Sequence, residues 1–220
     1  MKQVSSRELF AYWNTQRGLQ RVPDRADIEP GAIRGVLGDT FILAADADAG
    51  HPFRLAGTRV CALFCRELKG EAFSGLWGQD GRAEMQARVG IVADESIGLI
   101  ASAAARNADR ATLQLELLLL PLALRGNAHA RIIGALVPNE VPYWLGVSPI
   151  TSLTLTGFRH LDPELERDPP LFVSGAVAST LATSAPTPSS RTTSKVSFSA
   201  LPSGMRQQPG LRVFEGGRIG

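Results

Sequence analysis

Residues 51–70, HPFRLAGTRVCALFCRELKG, decide the fold of this chain. The segment reads as a short strand at residues 53–56, a break at Gly57 and Thr58, and an amphipathic helix that ends at Gly70. Apolar residues recur at helical spacing on one face, whereas the charged residues face water. The apolar set is Val60, Leu63, Phe64 and Leu68. A strand that runs directly into a short packed helix is a compact structural signature.

The composition is that of an ordinary globular domain with tails. The chain has 220 residues, 44% hydrophobic and 20% charged, which suffices for one buried core. Its 23 basic and 21 acidic residues interleave and give a net charge of +2, so no basic cluster indicates nucleic-acid binding. The longest apolar stretch, residues 117–124, contains Pro121 and is too short to span a bilayer, and the N terminus lacks a secretory signal. We predict a cytoplasmic protein with no membrane span and no nucleic-acid partner.

The N-terminal stretch predicts a helix. Ser5 and Glu8 form a capping-box pattern, so the helix is expected to begin near Ser6 and to end at Gly18. Its aromatic residues have two interpretations: the helix lies across the sheet as part of the core, or it makes a dimer contact. The dimer-contact candidates are Leu9, Phe10 and Trp13.

A polar connection follows this helix at residues 21–27. A short helix-like stretch over residues 33–37 comes next, and Asp24 or Asp27 is placed to cap it. For Arg25 and Asp27, capping and ion pairing are the favoured interpretation, and ligand binding is the alternative.

The remaining segments predict a mainly antiparallel sheet. A buried strand at residues 40–45 precedes the 53–56 strand, and a helix is expected over residues 79–92. Polar and apolar residues alternate over residues 112–117, and the alternation ends beyond Leu117, so that end should be covered on both sides by the first helix or a second subunit. Longer strands are expected at residues 97–106, 111–122 and 131–137, and one further edge strand at residues 153–155.

The composition changes after residue 161. Residues 174–210 are rich in Ser, Thr, Ala and Pro and bury too little apolar surface to offset the cost of ordering, which predicts disorder. Residues 211–214 return to apolar character and suggest a short docking peptide. The expected organisation is an N-terminal helix at residues 1–20, a domain at residues 21–160 and a tail at residues 161–220.

The order of these elements resembles the PAS plan, a five-stranded antiparallel sheet with helices packed on one face. FRLAGTR at residues 53–59 resembles the second PAS strand and its exit, and residues 63–70 resemble the PAS helix that ends at glycine. The Tyr12-Trp13 helix, the connection at residues 23–28 and the final EGGR are similar to a family of small, mostly uncharacterised bacterial PAS proteins common in alphaproteobacteria. The resemblance covers residues 5–160, and weakly the last ten. It implies an α+β fold, signalling or regulation through ligand sensing or protein contact, and no catalytic residues.

Known PAS cofactors do not match the residues. Flavin-binding PAS domains carry a reactive cysteine after the helix, whereas Cys65 precedes Gly70. Haem needs an axial histidine, and the three histidines, at predicted turns or strand ends, are His51, His129 and His160. Cys61 and Cys65 lack the further ligands that zinc requires. We therefore predict no cofactor and no metal site.

Motifs of enzymes are absent from the sequence. It contains no Gly-x-Ser-x-Gly, no phosphate-binding GxxxxGK[ST] and no GxGxxG, so we predict no catalytic residues and a chain that acts by binding. The leading hypothesis is a stand-alone PAS regulatory module that homodimerises and contacts a regulatory protein. One alternative is a small-molecule sensor, for example of a nucleotide second messenger whose phosphate contacts Arg54, Arg59 or Arg131; another is an unrecognised enzyme.

A small apolar pocket is expected between the sheet and the helix of residues 60–64, and a fully filled core is the alternative. The candidate pocket residues are Phe53, Leu55, Val60, Phe64, Leu115 and Ile133.

Overall fold

The computed structural model describes residues 1–124 and 127–162, with the backbone alone at residues 127–130. The predicted tail lies outside the described residues apart from its first two positions. No helix in the described part of the chain is long and apolar enough to cross a membrane.

Helices and strands follow one another in an α+β arrangement. The helices are α1 (Val4–Arg17), α2 (Thr58–Phe64) and α3 (Gln79–Glu95). The strands are β1 (Thr40–Ala44), β2 (Phe53–Ala56), β3 (Gly98–Asn107), β4 (Thr112–Leu124), β5 (Asn127–Pro138) and β6 (Ile150–Leu161). Short 3-10 turns are formed by Arg25–Asp27, Pro30–Ile33, Leu37–Asp39 and Phe73–Leu76.

One antiparallel sheet contains all the described strands in the order β2-β1-β5-β4-β3-β6. The prediction of an antiparallel sheet with flanking helices and an N-terminal helix is therefore confirmed. The strand number is six rather than five, because the edge strand expected at residues 153–155 is the 12-residue β6, which pairs along β3.

The sheet is covered on both faces. We call the face packed against α2, α3 and the Phe73–Leu76 turn the inner face, and the face beneath α1 and the first three 3-10 turns the outer face. Leucines of β4 alternate between them: Leu115, Leu117 and Leu119 point inward, and Leu118, Leu120 and Leu122 point outward. The expected double cover beyond Leu117 is confirmed, and α1 provides it, so helices pack on both faces rather than on one.

A residue of β4 binds the backbone just before α1. The expected capping box does not form, because the Ser5 hydroxyl instead donates to Asp39 Oδ2 at 2.6 Å. The carboxylate of Glu116 on β4 accepts from the backbone N–H groups of Lys2 and Gln3 at 2.6 and 3.0 Å. A negative charge there also complements the helix dipole. The contact therefore ties α1 to the centre of the sheet.

Helix α2 is shorter than expected. It ends at Phe64 because Cys65 adopts the left-handed conformation, with φ 52°, and its N–H bonds to the Ala62 carbonyl at 3.3 Å. Gly70, with φ 88°, belongs to a later turn. Leu68 lies in the loop after α2, and its side chain is buried. The prediction of a helix that ends at Gly70 is therefore wrong.

The helix expected over residues 33–37 is replaced by the 3-10 turns Pro30–Ile33 and Leu37–Asp39. The two aspartates cap the preceding turn instead. Asp24 accepts from Ala26 N–H at 2.8 Å, and Asp27 accepts from Asp24 N–H at 3.2 Å.

Replacing Glu116 with Ala should destabilise the fold. Two backbone N–H groups just before α1 lose their acceptor, which costs about 1–3 kcal/mol in the free energy of unfolding. Urea unfolding of the full chain at neutral pH measures the loss. The matched control is Gln114→Ala, whose exposed side chain lies two residues away on the same face of β4. Equal effects of the two substitutions would show that the two hydrogen bonds to Glu116 contribute nothing to stability.

Candidate functional site

The six predicted pocket residues do not line one cavity. Phe53, Val60, Phe64 and Leu115 belong to the inner core. Ile133 lies in the outer core, and Leu55 lies beside it on the outer side of the sheet. The prediction of a single pocket formed by these residues is therefore corrected.

A bulge in β2 explains the position of Leu55. Strict alternation would place Phe53 and Leu55 on the same face. The register instead pairs Leu55 with Ile42 and Phe53 with Leu43, so Arg54 is an inserted residue. The bulge moves Leu55 to the opposite face from Phe53.

Aromatic rings fill the inner space next to β1 and β2. The Phe73 ring lies 5.7 Å from Phe41, 5.8 Å from Phe53 and 5.9 Å from Trp77, measured between ring centroids. All four side chains are buried. Such contacts stabilise a packed core, so this region matches the filled-core alternative.

His51 occupies the corner next to this cluster. It is buried with φ 58°, and its backbone carbonyl accepts from Phe73 N–H at 3.3 Å. Both ring nitrogens are buried, and neither forms a hydrogen bond of good geometry with the described residues. Burial lowers the pKa of the imidazole, while the nearby backbone of Ala44 and Gln86 and, less strongly, the charges of Asp46 and Asp94 oppose that shift. The corner therefore favours a neutral histidine.

The described residues contain no candidate metal site. No three His, Cys, Asp or Glu side chains there lie close enough to hold a metal ion. Cys61 and Cys65 are free thiols, and burial raises the pKa of Cys61.

A groove of about 300 Å³ opens on the outer side of the sheet. The 3-10 turns form one wall, β1 and β5 form the floor, and the edge strand β2 forms the other wall. We call it the outer groove. Its large aliphatic lining residues are Ile28, Ile33, Leu37, Ile42, Leu55 and Ile133.

The three arginines predicted to contact phosphate are separated by the fold. Arg59 pairs with the buried Asp39, with 2.6 Å between Nε and Oδ1, and so joins α2 to the Leu37–Asp39 turn. Arg25 lines the outer groove, whereas Arg54 precedes its lining residue Leu55, and Arg131 lies two residues before its lining residue Ile133. The pKa of Arg131 is lowered, first by burial and then by the charges of Arg54 and Arg25. Arg54 and Arg131 are therefore close enough for their charges to repel each other.

Leu9 and Trp13, two of the dimer-contact candidates, are buried within the chain itself. They pack on the outer face, and Trp13 Nε1 donates to the Pro121 carbonyl at 2.8 Å. Phe10 is half-buried and stacks on Trp13 with 6.1 Å between ring centroids. The dimer contact stays a prediction, for which Phe10 retains accessible surface.

The connector between β5 and β6, residues 139–149, exposes a cluster of apolar side chains. Val141, Tyr143 and Val147 are 80%, 96% and 81% exposed. They account for three of the seven exposed large hydrophobic residues in the described ranges. Such a concentration is typical of an interaction surface.

The connector is fixed at several points. Trp144 is buried in the inner core, and the Ser148 hydroxyl donates to Asp109 Oδ2 at 3.0 Å and accepts from Asn107 Nδ2 at 3.2 Å. Gln3 Nε2 donates to Asn139 Oδ1 at 3.0 Å, which brings the start of α1 to the connector. The exposed side chains are thus held on an anchored loop.

Sequence reasoning missed the connector surface and the 3-10 wall of the outer groove. A signal for the first exists in NEVPYWLGVSP at residues 139–149, which carries several large apolar residues between two predicted strands. The 3-10 wall of the outer groove depends on contacts between residues distant in sequence, and the local pattern does not encode them.

A family model described as a PAS domain matches residues 1–137. A search of curated proteins finds no significant match. The Rhodobacter sphaeroides LOV protein is similar, with a TM-score of 0.39 and 15% sequence identity. The match covers 47% of this chain and 60% of that protein. An RNA-binding Light-Oxygen-Voltage receptor is similar with a TM-score of 0.39 and 16% sequence identity. The match covers 50% of this chain and 33% of the receptor. The PAS domain of an HTR-like protein from Haloarcula marismortui is similar with a TM-score of 0.34 and 16% sequence identity. The match covers 49% of this chain and 89% of that domain.

Replacing His51 with Asn should weaken the pH dependence of stability. Because the folded-state pKa lies below 6.5, the unfolded chain binds more protons as the pH falls through that value, and stability is lost. Asn does not titrate and tolerates positive φ. We expect the urea midpoint to fall more for the wild type than for His51→Asn between about pH 7.5 and about pH 5.5. The control is His160→Asn, and identical pH profiles of wild type and His51→Asn would contradict the assignment.

Proposed function

Since the chain belongs to the PAS domain family, whose members are generally signalling or sensory modules, we propose that it is a regulatory module acting by homodimerisation and by contact with a regulatory protein. PAS domains are typically non-enzymatic. The single observation that carries the proposal is the exposed apolar cluster Val141, Tyr143 and Val147 on its anchored connector.

The anchoring makes this cluster suitable for binding another protein. Since Trp144 and Ser148 already hold the loop, association orders little additional chain. Tyrosine is also among the residues that most often dominate protein interfaces. The proposal therefore assigns the principal contact to Tyr143 and its two valine neighbours.

Helix α1 extends the proposed surface. Val4 is 57% exposed at its first residue, next to Gln3, which bonds to Asn139 of the connector. Phe10 is the accessible member of the predicted dimer-contact set, while Leu9 and Trp13 contribute by holding α1 on the sheet. We assign dimerisation to the connector together with Val4 and Phe10 of α1.

The double substitution Tyr143→Ser/Val147→Ser should disrupt the dimer. Loss of two exposed apolar contacts is expected to raise the dimer dissociation constant at least about tenfold. Stability should change little because both side chains face solvent. Sedimentation velocity of the full chain over a concentration series measures the dissociation constant, and urea unfolding checks the fold.

The matched control is Leu19→Ser, which removes a 94% exposed apolar side chain just after α1. It should leave the dimer unchanged. A dimer that survives the connector substitution would contradict the assigned surface. A wild-type chain that stays monomeric would contradict homodimerisation itself.

A further inference from the structure

The outer groove is held open by contacts at both ends. At one end, a Cβ atom on Gly57 would collide with the carbonyl oxygens of Leu37 and Gly38, so this close backbone approach requires glycine. The Asp39–Arg59 pair fixes the same turn. These contacts keep the 3-10 wall at a set distance from β2.

The other end of the groove is fixed by α1. Tyr12 Oη donates to the Asp27 carbonyl at 3.3 Å and accepts from Glu29 N–H at 2.8 Å. The wall is therefore in place before any ligand arrives, which lowers the cost of binding.

The interior of the groove suits an aliphatic group. Leu55 is 43% exposed above the buried side chains of Ile42 and Ile133, so a ligand gains by covering it. No aromatic ring and no side-chain amide belongs to the described lining, and the Thr40 hydroxyl is already bonded to the Val36 carbonyl at 2.8 Å. A nucleobase would find nothing there on which to stack, and few groups for edge recognition.

The rim of the groove is positively charged. Arg25 lines it, Arg54 precedes Leu55 in the bulge, and Arg131 lies on the same face of β5 as Ile133. Within residues 1–124 and 127–162, neither Arg25 nor Arg54 forms an ion pair. The nearby carboxylates of Asp24 and Asp27 accept backbone N–H groups. An anion at this rim would offset the repulsion that Arg54 and Arg25 exert on Arg131.

We propose that the outer groove binds a small amphipathic anion, with its aliphatic chain against Leu55, Ile42 and Ile133 and its acidic head group at Arg25, Arg54 and Arg131. The volume of about 300 Å³ lies at the lower end of ligand pockets and suits a chain of medium length. The site lies on the side of the sheet opposite to the filled aromatic core. It is independent of the proposed contact function, since binding is measured on the chain alone.

Calorimetric titration of the full chain with decanoate tests the proposal. Decanoate should bind, octanoate should bind more weakly, and decyltrimethylammonium, with the same chain length and opposite charge, should not bind. Each fully buried methylene is expected to change the affinity up to about fourfold, which corresponds to about 0.8 kcal/mol. Added salt should weaken binding because the head-group contact is partly exposed.

Substitutions locate the site. Arg54→Gln should weaken decanoate binding, and Arg54→Gln/Arg131→Gln should weaken it at least tenfold. Leu55→Gln should reduce the dependence on chain length. Arg82→Gln, an exposed arginine on α3 at the inner side of the sheet, is the matched control and should bind as the wild type does.

Amide chemical shifts of the wild type keep the test decisive if a variant fails to fold. Decanoate should shift amides of β2 and the Pro30–Ile33 turn, rather than those of α3. No binding of decanoate, equal binding of the cationic detergent, or shifts confined to α3 would overturn the proposal. Binding of a cyclic dinucleotide at Arg54 and Arg131 in place of decanoate would overturn the acyl assignment and favour a nucleotide.

Discussion

The double-sided burial of β4 is the constraint on which the structure depends. Its outward leucines need cover as much as its inward ones, and α1 supplies that cover through Leu9 and Trp13. Glu116 binds the start of the helix and the Pro121 carbonyl binds Trp13, so β4 both requires α1 and positions it. The N-terminal helix is therefore part of the folding unit, and through Tyr12 it also supports one wall of the outer groove.

Local signals in the sequence predicted much of the fold. The apolar strand at residues 53–56, the glycine end of α1 at Gly18 and the loss of alternation beyond Leu117 all correspond to features of the structure. The end of α2 was not predictable in this way, because a left-handed cysteine has no distinctive pattern. The Ser5 hydroxyl likewise bonds to Asp39, 34 residues away, rather than to its own helix.

The candidate sites were predicted less well, because each depends on an irregular feature. The bulge at Arg54 reverses the face expected for Leu55, and the Asp39 pair removes Arg59 from the set of arginines at the groove. Residues chosen for an inner pocket consequently divide between a filled core and an open groove. In both cases a contact distant in sequence overrides the local pattern, and side-chain type alone does not reveal it.

The two edge strands of the sheet, β2 and β6, differ in length, but both are unsuited to pairing with a further strand. Strand β2 has four residues and a bulge at an exposed arginine. Strand β6 is longer, but its pairing with β3 is irregular at two points, and Gly78 N–H donates to the Leu153 carbonyl at 3.0 Å. Short, charged or covered edges are poor templates for adding a strand. Neither edge is therefore expected to add a strand from another molecule and extend the sheet into a larger aggregate.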